Sequence, residues 1–224
     1  MKWTPDDDAS VTEKAYNNAL ANDPVVRCRS LVAACRASGQ CREDFMATIE
    51  EANSTSAFPD GQPIRCIQLL RDVDTRWSSI FLMIDRVLEL YPISTYLFFR
   101  ALILTRMIQA IEIFLNKAKQ TEIAKHALSI TDLEVLRDIC KFLEIPHAVQ
   151  ELLSAEKTPT IPMTIPMYES LVEMYKLLQT SQPRLEPAIS AAISKIQEYV
   201  QKSRKTRVYA LAMSAFHFIQ AFSC

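Results

Sequence analysis

The clearest pattern of apolar and polar positions lies between Ile67 and Tyr91. It begins with a short apolar run and continues with apolar residues that are three and four positions apart. A short apolar run is typical of a strand, and the wider spacing is typical of a helix with one buried face. The pattern therefore predicts a strand over residues 65–71 that leads into a helix beginning at Asp74 or Thr75.

Two further sequence signals predict helix starts. Asp23-Pro24 is one of them, because Asp caps free backbone N–H groups and Pro is tolerated in the first turn. Thr131 and Glu134 have the spacing of a capping box, in which two side chains satisfy each other's backbone N–H groups. Both signals precede apolar residues at helical spacing, so a helix is predicted after each.

Helical spacing also dominates the rest of the chain. Three prolines interrupt it between Lys157 and Pro166, where they predict an extended connector. Pro166 itself is expected to open the next helix. The remaining helices are predicted over residues 40–52 and 94–119, and after Pro187.

Composition supports a mainly helical fold. Hydrophobic residues make up 49% and charged residues 23% of the 224 positions, which is an ordinary balance for a soluble globular protein. There are only 2 glycines. Tight turns between strands and phosphate-binding loops both need more glycine, so strand-rich folds and nucleotide-binding loops are disfavoured.

Charge and cysteine content narrow the possible functions. The formal net charge of −1 gives no overall attraction to nucleic acid, so any DNA contact must come from local basic patches. The 6 cysteines form no C-x-x-C pair, and no histidine lies at zinc-ligand spacing from them. No charge-free apolar stretch reaches the length of a membrane span. We therefore expect no cofactor, no structural metal and no membrane partner.

Arg76 and Trp77 are the first candidates for a DNA site. They lie together in the first turn of the predicted helix. A guanidinium can hold a phosphate while an indole ring stacks on an unpaired base. Trp77 also lies on the apolar face of that helix, so the alternative is a tryptophan buried in the core.

Two basic groups are the second candidates. Arg29 and Arg36 lie seven positions apart on one helical face. Arg27 and Arg42 add further positive charge to the same pair of predicted helices. This face either is simply solvated or follows a phosphate backbone. The second group consists of Lys202, Arg204, Lys205 and Arg207. Its cations either stabilise the C-terminus of a helix or contact DNA or an import receptor.

The stretch from Asp72 to Leu90 resembles a known signature. Its residues Asp-Val-Asp-Thr-Arg-Trp-Ser-Ser, followed by Met-Ile-Asp-Arg-Val-Leu-Glu-Leu, are similar to the "D-V-x-T-R-W-N-S-x-x-x-M-L-x-R-x-L-x-L" segment of hAT-superfamily transposases. The resemblance extends upstream to residue 25 and is clear again over residues 131–213, so it covers about two-thirds of the chain. It implies that Arg76 and Trp77 match the family's Arg-Trp pair, whose Trp stacks beside a flipped base during hairpin formation. Ser78 replaces the usual Asn.

The resemblance also implies a domain organisation. In the family, this segment leads from a late strand of an RNase H-like α/β core into an all-helical insertion domain. We therefore expect a mainly α fold, in which a helical insertion domain is attached to a remnant of that core. The expected divisions are a flexible arm (1–22), the core remnant (23–73), the insertion domain (74–208) and a divergent tail (209–224) that suggests truncation or a frame shift.

The resemblance gives no support for catalysis. Transposases of this superfamily hold two metal ions with three acidic residues, and this sequence contains no segment that matches any of them. Asp72 and Asp74 do not correspond to those acids. We therefore expect a catalytically inactive fragment. Its expected partners are DNA, such as transposon ends or a hairpin, and an intact transposase relative. The resemblance implies a nuclear location, and a cytoplasmic one is expected otherwise. The alternative function is a helical protein-interaction module without DNA binding.

Overall fold

The computed structural model describes most of the chain. The described residues are 5–55, 63–73, 76–91, 110–154, 160–207 and 211. Within them, the side chains of residues 5–11, 77, 118 and 160–162 are outside the description. Most of the predicted helix over residues 94–119 and nearly all of the predicted tail over residues 209–224 lie outside the described residues.

The described residues are mainly helical, and this confirms the predicted fold class at that level. They contain no strand of a sheet. Short 3₁₀ helices cover Ala118–Gln120 and Pro183–Leu185. The α-helices are α1 (Pro5–Ala21), α2 (Pro24–Cys35), α3 (Gly39–Ser54), α4 (Trp77–Leu90), α5 (Ala110–Leu115), α6 (Thr121–Ala124), α7 (Ile130–Leu153), α8 (Thr160–Ser181) and α9 (Glu186–Arg204).

The predicted strand over residues 65–71 does not form. Residues 63–72 are extended, but they pair with no strand among the described residues. We call these residues the extended segment. A strand requires a neighbour to pair its backbone groups, and the elements that contact this segment are helices.

The chain divides into two compact units. The first unit comprises Met1–Arg137 and the second comprises Asp138–Cys224. The division falls inside α7, whereas the predicted domain limits followed residues 22, 73 and 208. Those limits remain a prediction. The segment expected to be a flexible arm contains α1, whose Tyr16 is 1% exposed.

The core of the first unit is formed by apolar faces of α2 to α5. Asp23 caps α2 through its side chain, which accepts a hydrogen bond from the backbone N–H of Val26 at 3.1 Å, so the predicted helix start is confirmed. Burial, followed by the nearby Cys41, raises the pKa of the Cys35 thiol to about 12. Because the thiolate is the reactive form, Cys35 is a structural core residue rather than a nucleophile.

The capping box of α7 differs from the predicted one. Ser129 and Asp132 form it, whereas Thr131 and Glu134 were predicted. The Asp132 N–H donates to Ser129 Oγ at 3.1 Å, and the Ser129 N–H donates to Asp132 Oδ2 at 2.7 Å. Because α7 begins at Ile130, Thr131 already lies inside the helix and cannot be its cap.

The second unit has its own core, in which α8 and α9 pack together. Tyr175 lies at its centre, with its hydroxyl donating to the Phe142 carbonyl at 3.2 Å. Burial raises the pKa of Tyr175 to about 12. The helix α8 begins at Thr160 and continues through Pro166, so the extended connector predicted over residues 157–166 is wrong from Thr160 onward. Pro162, in the first turn, has no intrahelical N–H bond to lose.

An ion-pair network on α9 leads to a pH prediction. The Glu198 carboxylate lies 2.5 Å from Lys202 Nζ and 2.9 Å from Lys195 Nζ. These hydrogen bonds, that of Lys202 first, lower the pKa of Glu198 from 4.5 to about 2. A carboxyl group with a lowered folded-state pKa contributes stability above its unfolded pKa and loses it as the pH falls toward the folded value. We expect the Glu198 side-chain carbon to titrate near pH 2 by NMR.

Lys202→Ala provides the control for this titration, because it removes the largest cause of the shift and should raise the pKa of Glu198. A wild-type midpoint at the ordinary glutamate value of 4.5 would contradict the network.

Candidate nucleic-acid interface

The predicted Arg-Trp pair lies at the start of α4. Arg76 is exposed and occupies the N-cap position, where no side chain caps the helix. Ser79 fixes the turn, because its Oγ accepts from the Val73 N–H at 2.8 Å and lies 2.6 Å from the Arg76 carbonyl oxygen. Trp77 is the first residue of α4, and its side chain lies outside the described part of the structure. Stacking and core burial of Trp77 therefore both remain predictions.

The extended segment is held in place by side chains of neighbouring helices. The side chain of Asn53, from α3, donates to the Ile64 carbonyl and accepts from the Ile64 N–H, both at 2.8 Å. Arg86, from α4, donates to the Gln68 carbonyl at 2.9 Å. These bonds supply part of what a neighbouring strand would supply, and they fix the segment against the helices.

Two predicted arginines, Arg29 of α2 and Arg36 at its C-cap, take part in this anchoring. Arg29 forms a 2.5 Å ion pair with Asp72, whose side chain is only 7% exposed. Arg36 donates through Nη1 to the Leu69 carbonyl. The helical face that was predicted either to be solvated or to follow a phosphate backbone thus positions the extended segment.

Three arginines meet where α2 ends, α3 begins and the extended segment passes. We call Arg36, Arg42 and Arg71 the arginine cluster. Arg71 Nη2 donates to the Arg36 carbonyl at 3.4 Å, and Arg42 and Arg71 are both exposed. Burial, followed by the positive charges of Arg42 and Arg71, lowers the pKa of Arg36.

The cluster carries an uncompensated positive charge. Among the described residues, no carboxylate forms an ion pair with any of its members. The Nε atom of Arg36 is buried and has no hydrogen-bond partner there. Like charges that gather without a counter-charge raise the local positive potential, so the site favours an anion.

The basic residues at the end of α9 are partly compensated. Lys202 pairs with Glu198, and Arg204 pairs with Glu169 of α8. Lys205 and Arg207 are exposed, and neither has an acidic partner in the described part of the chain. Of the four predicted cations in the second unit, these are the two that form no ion pair among the described residues.

Comparisons with known proteins identify no relative. The sequence matches no protein-family model, no curated protein and no solved structure. The described helices include none that is both long and apolar enough to cross a bilayer. Across the described side chains, no group of three His, Cys, Asp or Glu residues is arranged to hold a metal ion.

Sequence reasoning selected Arg36 but left Arg42 and Arg71 out of the candidate site. Arg42 was noted only as part of a basic helical pair, and Arg71 only as the end of the predicted strand. Helical spacing relates residues within one helix, so it cannot relate α3 to the extended segment. The available signal was that no acidic residue lies at ion-pairing helical spacing from Arg36 on α2.

Proposed function

We propose that this chain is a catalytically inactive, hAT transposase-derived fragment that binds DNA, and that the arginine cluster is its main phosphate contact. The observation that carries the proposal is the absence of any carboxylate paired with these three arginines in the described residues. The resemblance of residues 72–90 to the transposase signature supports the choice of DNA as the polyanion.

The chemistry of the cluster suits a phosphate backbone. Guanidinium groups bind phosphate oxygens through a planar fork of N–H donors and remain charged at all physiological pH values. Arg36 is anchored by its bond to the Leu69 carbonyl, and Arg71 belongs to the tethered extended segment. Little conformational entropy of the backbone is therefore lost on binding. Arg76 and Trp77 would add a second phosphate contact and a stacking surface for an unpaired base.

The first prediction concerns the affinity for DNA. We expect the double variant Arg42→Ala/Arg71→Ala to bind a fluorescent DNA hairpin with unpaired tip bases about 10 to 100 times more weakly than the wild type. Each lost phosphate contact should also reduce the slope of log K against log salt by about 0.7 to 0.9. Fluorescence anisotropy between low and moderate salt measures both quantities.

The matched control is Lys14→Ala/Lys119→Ala. It removes the same charge from two exposed positions of the same unit that lie outside the cluster. We expect this control to retain most of the wild-type affinity and slope. Equal losses in the two double variants would show that net charge, and not the cluster, governs binding. A folded wild type that binds no DNA would overturn the proposed function.

Trp77→Ala tests the second part of the proposal in the same assay. Loss of one stacked base should cost about 1–3 kcal/mol. A duplex without unpaired bases is the control ligand, because it offers no base for stacking and its affinity should be unaffected. Equal losses with both ligands would indicate that the substitution perturbs the fold instead.

The alternative proposal is a protein-interaction module that does not bind DNA. A separate observation favours it: within the described residues, the backbone of the extended segment makes no backbone–backbone hydrogen bond.

A further inference from the structure

We propose that the arginine cluster holds a terminal phosphate of DNA, which is a phosphomonoester, rather than an internal phosphodiester. This selectivity rests on the proposed function, because it requires the chain to bind DNA. A phosphomonoester carries a charge of about −1.5 to −2 at pH 7 and has three strong acceptor oxygens. An internal phosphodiester carries a single negative charge.

The row of cations that would follow a DNA strand is largely neutralised. A strand presents its charges one after another, about 3.4 Å apart along the axis, so a site that follows it needs cations in a row. On α2, Arg27 lies 2.7 Å from Asp132, and Arg29 lies 2.5 Å from Asp72. Of the predicted arginines on this helix and its C-cap, only Arg36 forms no ion pair among the described residues.

The remaining charge converges on the turn between α2 and α3. Arg36 is the C-cap of α2, and its carbonyl accepts from Nη2 of Arg71 at 3.4 Å. Arg42 reaches the same turn, because a methyl group placed on Gly39 would lie 3.9 Å from its Nη2. Burial, and then the charges of Arg42 and Arg71, lower the pKa of Arg36, as expected for cations that lie close together. The cluster is therefore a focus of charge rather than a row.

The backbone of this turn adds further donors. Residues 37–40 are exposed, and the N–H groups of Ser38, Gly39 and Gln40 have no acceptor among the described residues. Unbonded N–H groups at the start of a helix favour anions. A phosphate seated on this turn would therefore meet these backbone donors together with the guanidinium groups.

Neighbouring carboxylates leave the cluster uncompensated. Asp72, which follows Arg71 in the sequence, pairs with Arg29 instead. Glu43, which follows Arg42, forms no ion pair in the described part of the chain. Cations that gather at one turn repel one another, and a doubly charged group offsets that repulsion more fully than a singly charged one. The compact cluster thus favours a phosphomonoester.

The test compares the ends of one DNA molecule. The full chain is titrated against the hairpin with unpaired tip bases, labelled on an internal thymine, with a phosphate at its 5′ end, at its 3′ end or at neither. We expect at least one phosphorylated hairpin to bind about ten times more tightly than the unphosphorylated one, because it gains charge-assisted hydrogen bonds. The methyl ester of that phosphate is about as large but singly charged, and it should lose most of this advantage.

Two double variants test whether the cluster is the source of the preference. Arg42→Ala/Arg71→Ala should bind the phosphorylated and unphosphorylated hairpins with nearly equal affinity. Lys14→Ala/Lys119→Ala removes the same charge outside the cluster, so it should keep the preference of the wild type. A preference that survives in Arg42→Ala/Arg71→Ala would place the terminal phosphate elsewhere and overturn the proposal.

NMR of the wild-type chain locates the phosphate without any variant. The amide signals of Gly39 and Gln40 in the ¹⁵N-labelled chain should move when the phosphorylated hairpin replaces the unphosphorylated one, because their N–H groups gain an acceptor. Unchanged signals for both amides would overturn the proposal. If Arg42→Ala/Arg71→Ala fails to fold, these signals still decide the question.

The binding outcomes separate this selectivity from DNA binding itself. Equal wild-type affinity for the phosphorylated and unphosphorylated hairpins overturns the selectivity and leaves the proposed function intact. A folded wild type that binds none of the hairpins overturns both. A preference for the terminal phosphate that is lost with its methyl ester and in Arg42→Ala/Arg71→Ala supports both.

Discussion

Replacing Asp132 with Ala should lower the free energy of unfolding by about 3 kcal/mol. The Asp132 side chain is fully buried and lies 2.7 Å from Arg27 Nη1 of α2. It also accepts hydrogen bonds from the N–H and the hydroxyl of Ser129, at 2.7 and 2.5 Å. Removing one partner of a buried ion pair costs about 3–5 kcal/mol. We expect the lower end of that range, because Arg27 is 42% exposed and water can solvate it in the variant.

Urea denaturation followed by circular dichroism measures this change, and two variants control it. Glu134→Ala removes the carboxylate of the capping box predicted from sequence, which makes no ion pair among the described residues, so its effect should stay within about 0.5 kcal/mol. Asp132→Asn keeps the shape and one acceptor oxygen, and should fall between the wild type and Asp132→Ala. Similar losses for Glu134→Ala and Asp132→Ala would contradict the observed cap.

The capping box illustrates how far the sequence predicts local structure. The presence of a helix after residue 130 was predictable from its apolar spacing, and the structure confirms it. The residues that cap it were not, because Ser129 and Thr131 both offer a hydroxyl followed three positions later by a carboxylate. Arg27, which is distant in sequence, pairs with the carboxylate of Asp132 and not with that of Glu134. Sequence spacing does not contain that tertiary contact.

The extended segment illustrates a second limit. Its apolar composition predicted a strand that does not form, although its need for backbone partners was evident from the sequence. What could not be predicted was that Asn53 and Arg86, on two different helices, would supply some of those partners. Side-chain to backbone bonds of this kind have no period along the chain, so pattern analysis does not detect them.

The candidate site was predictable only in part. Arg36 was selected for its position on a basic helical face, and the structure places it in the arginine cluster. Arg42 and Arg71 join it there because the extended segment passes the junction of α2 and α3. Conversely, Lys202 pairs with Glu198 on its own helix, at a spacing that the sequence already shows, whereas Arg204 pairs with Glu169 of α8. Charge compensation between two helices, as for Arg204, becomes visible only after folding.

The largest loss of stability should follow Phe114→Ala, which we expect to lower the free energy of unfolding by about 3–5 kcal/mol. Phe114 of α5 is fully buried and packs edge-to-face on Phe45 of α3, with ring centroids 5.2 Å apart and planes at 85°. Truncation removes the transfer free energy of the ring and leaves a cavity that a close-packed core fills only partly. Leu82→Ala, at a position 41% exposed on α4, is the control and should cost much less.

A double-mutant cycle isolates the contact between the two rings. Phe45→Leu and Phe114→Leu retain most of the buried apolar volume, so their coupling energy reports the edge-to-face pair, which should be worth about 0.5–1.5 kcal/mol. A coupling energy of zero would contradict the observed ring geometry.

Because Arg42 lies on α3 one turn before Phe45, these variants also separate stability from binding. They leave the charge of the arginine cluster unchanged, so wherever they remain folded they should bind the DNA hairpin as the wild type does.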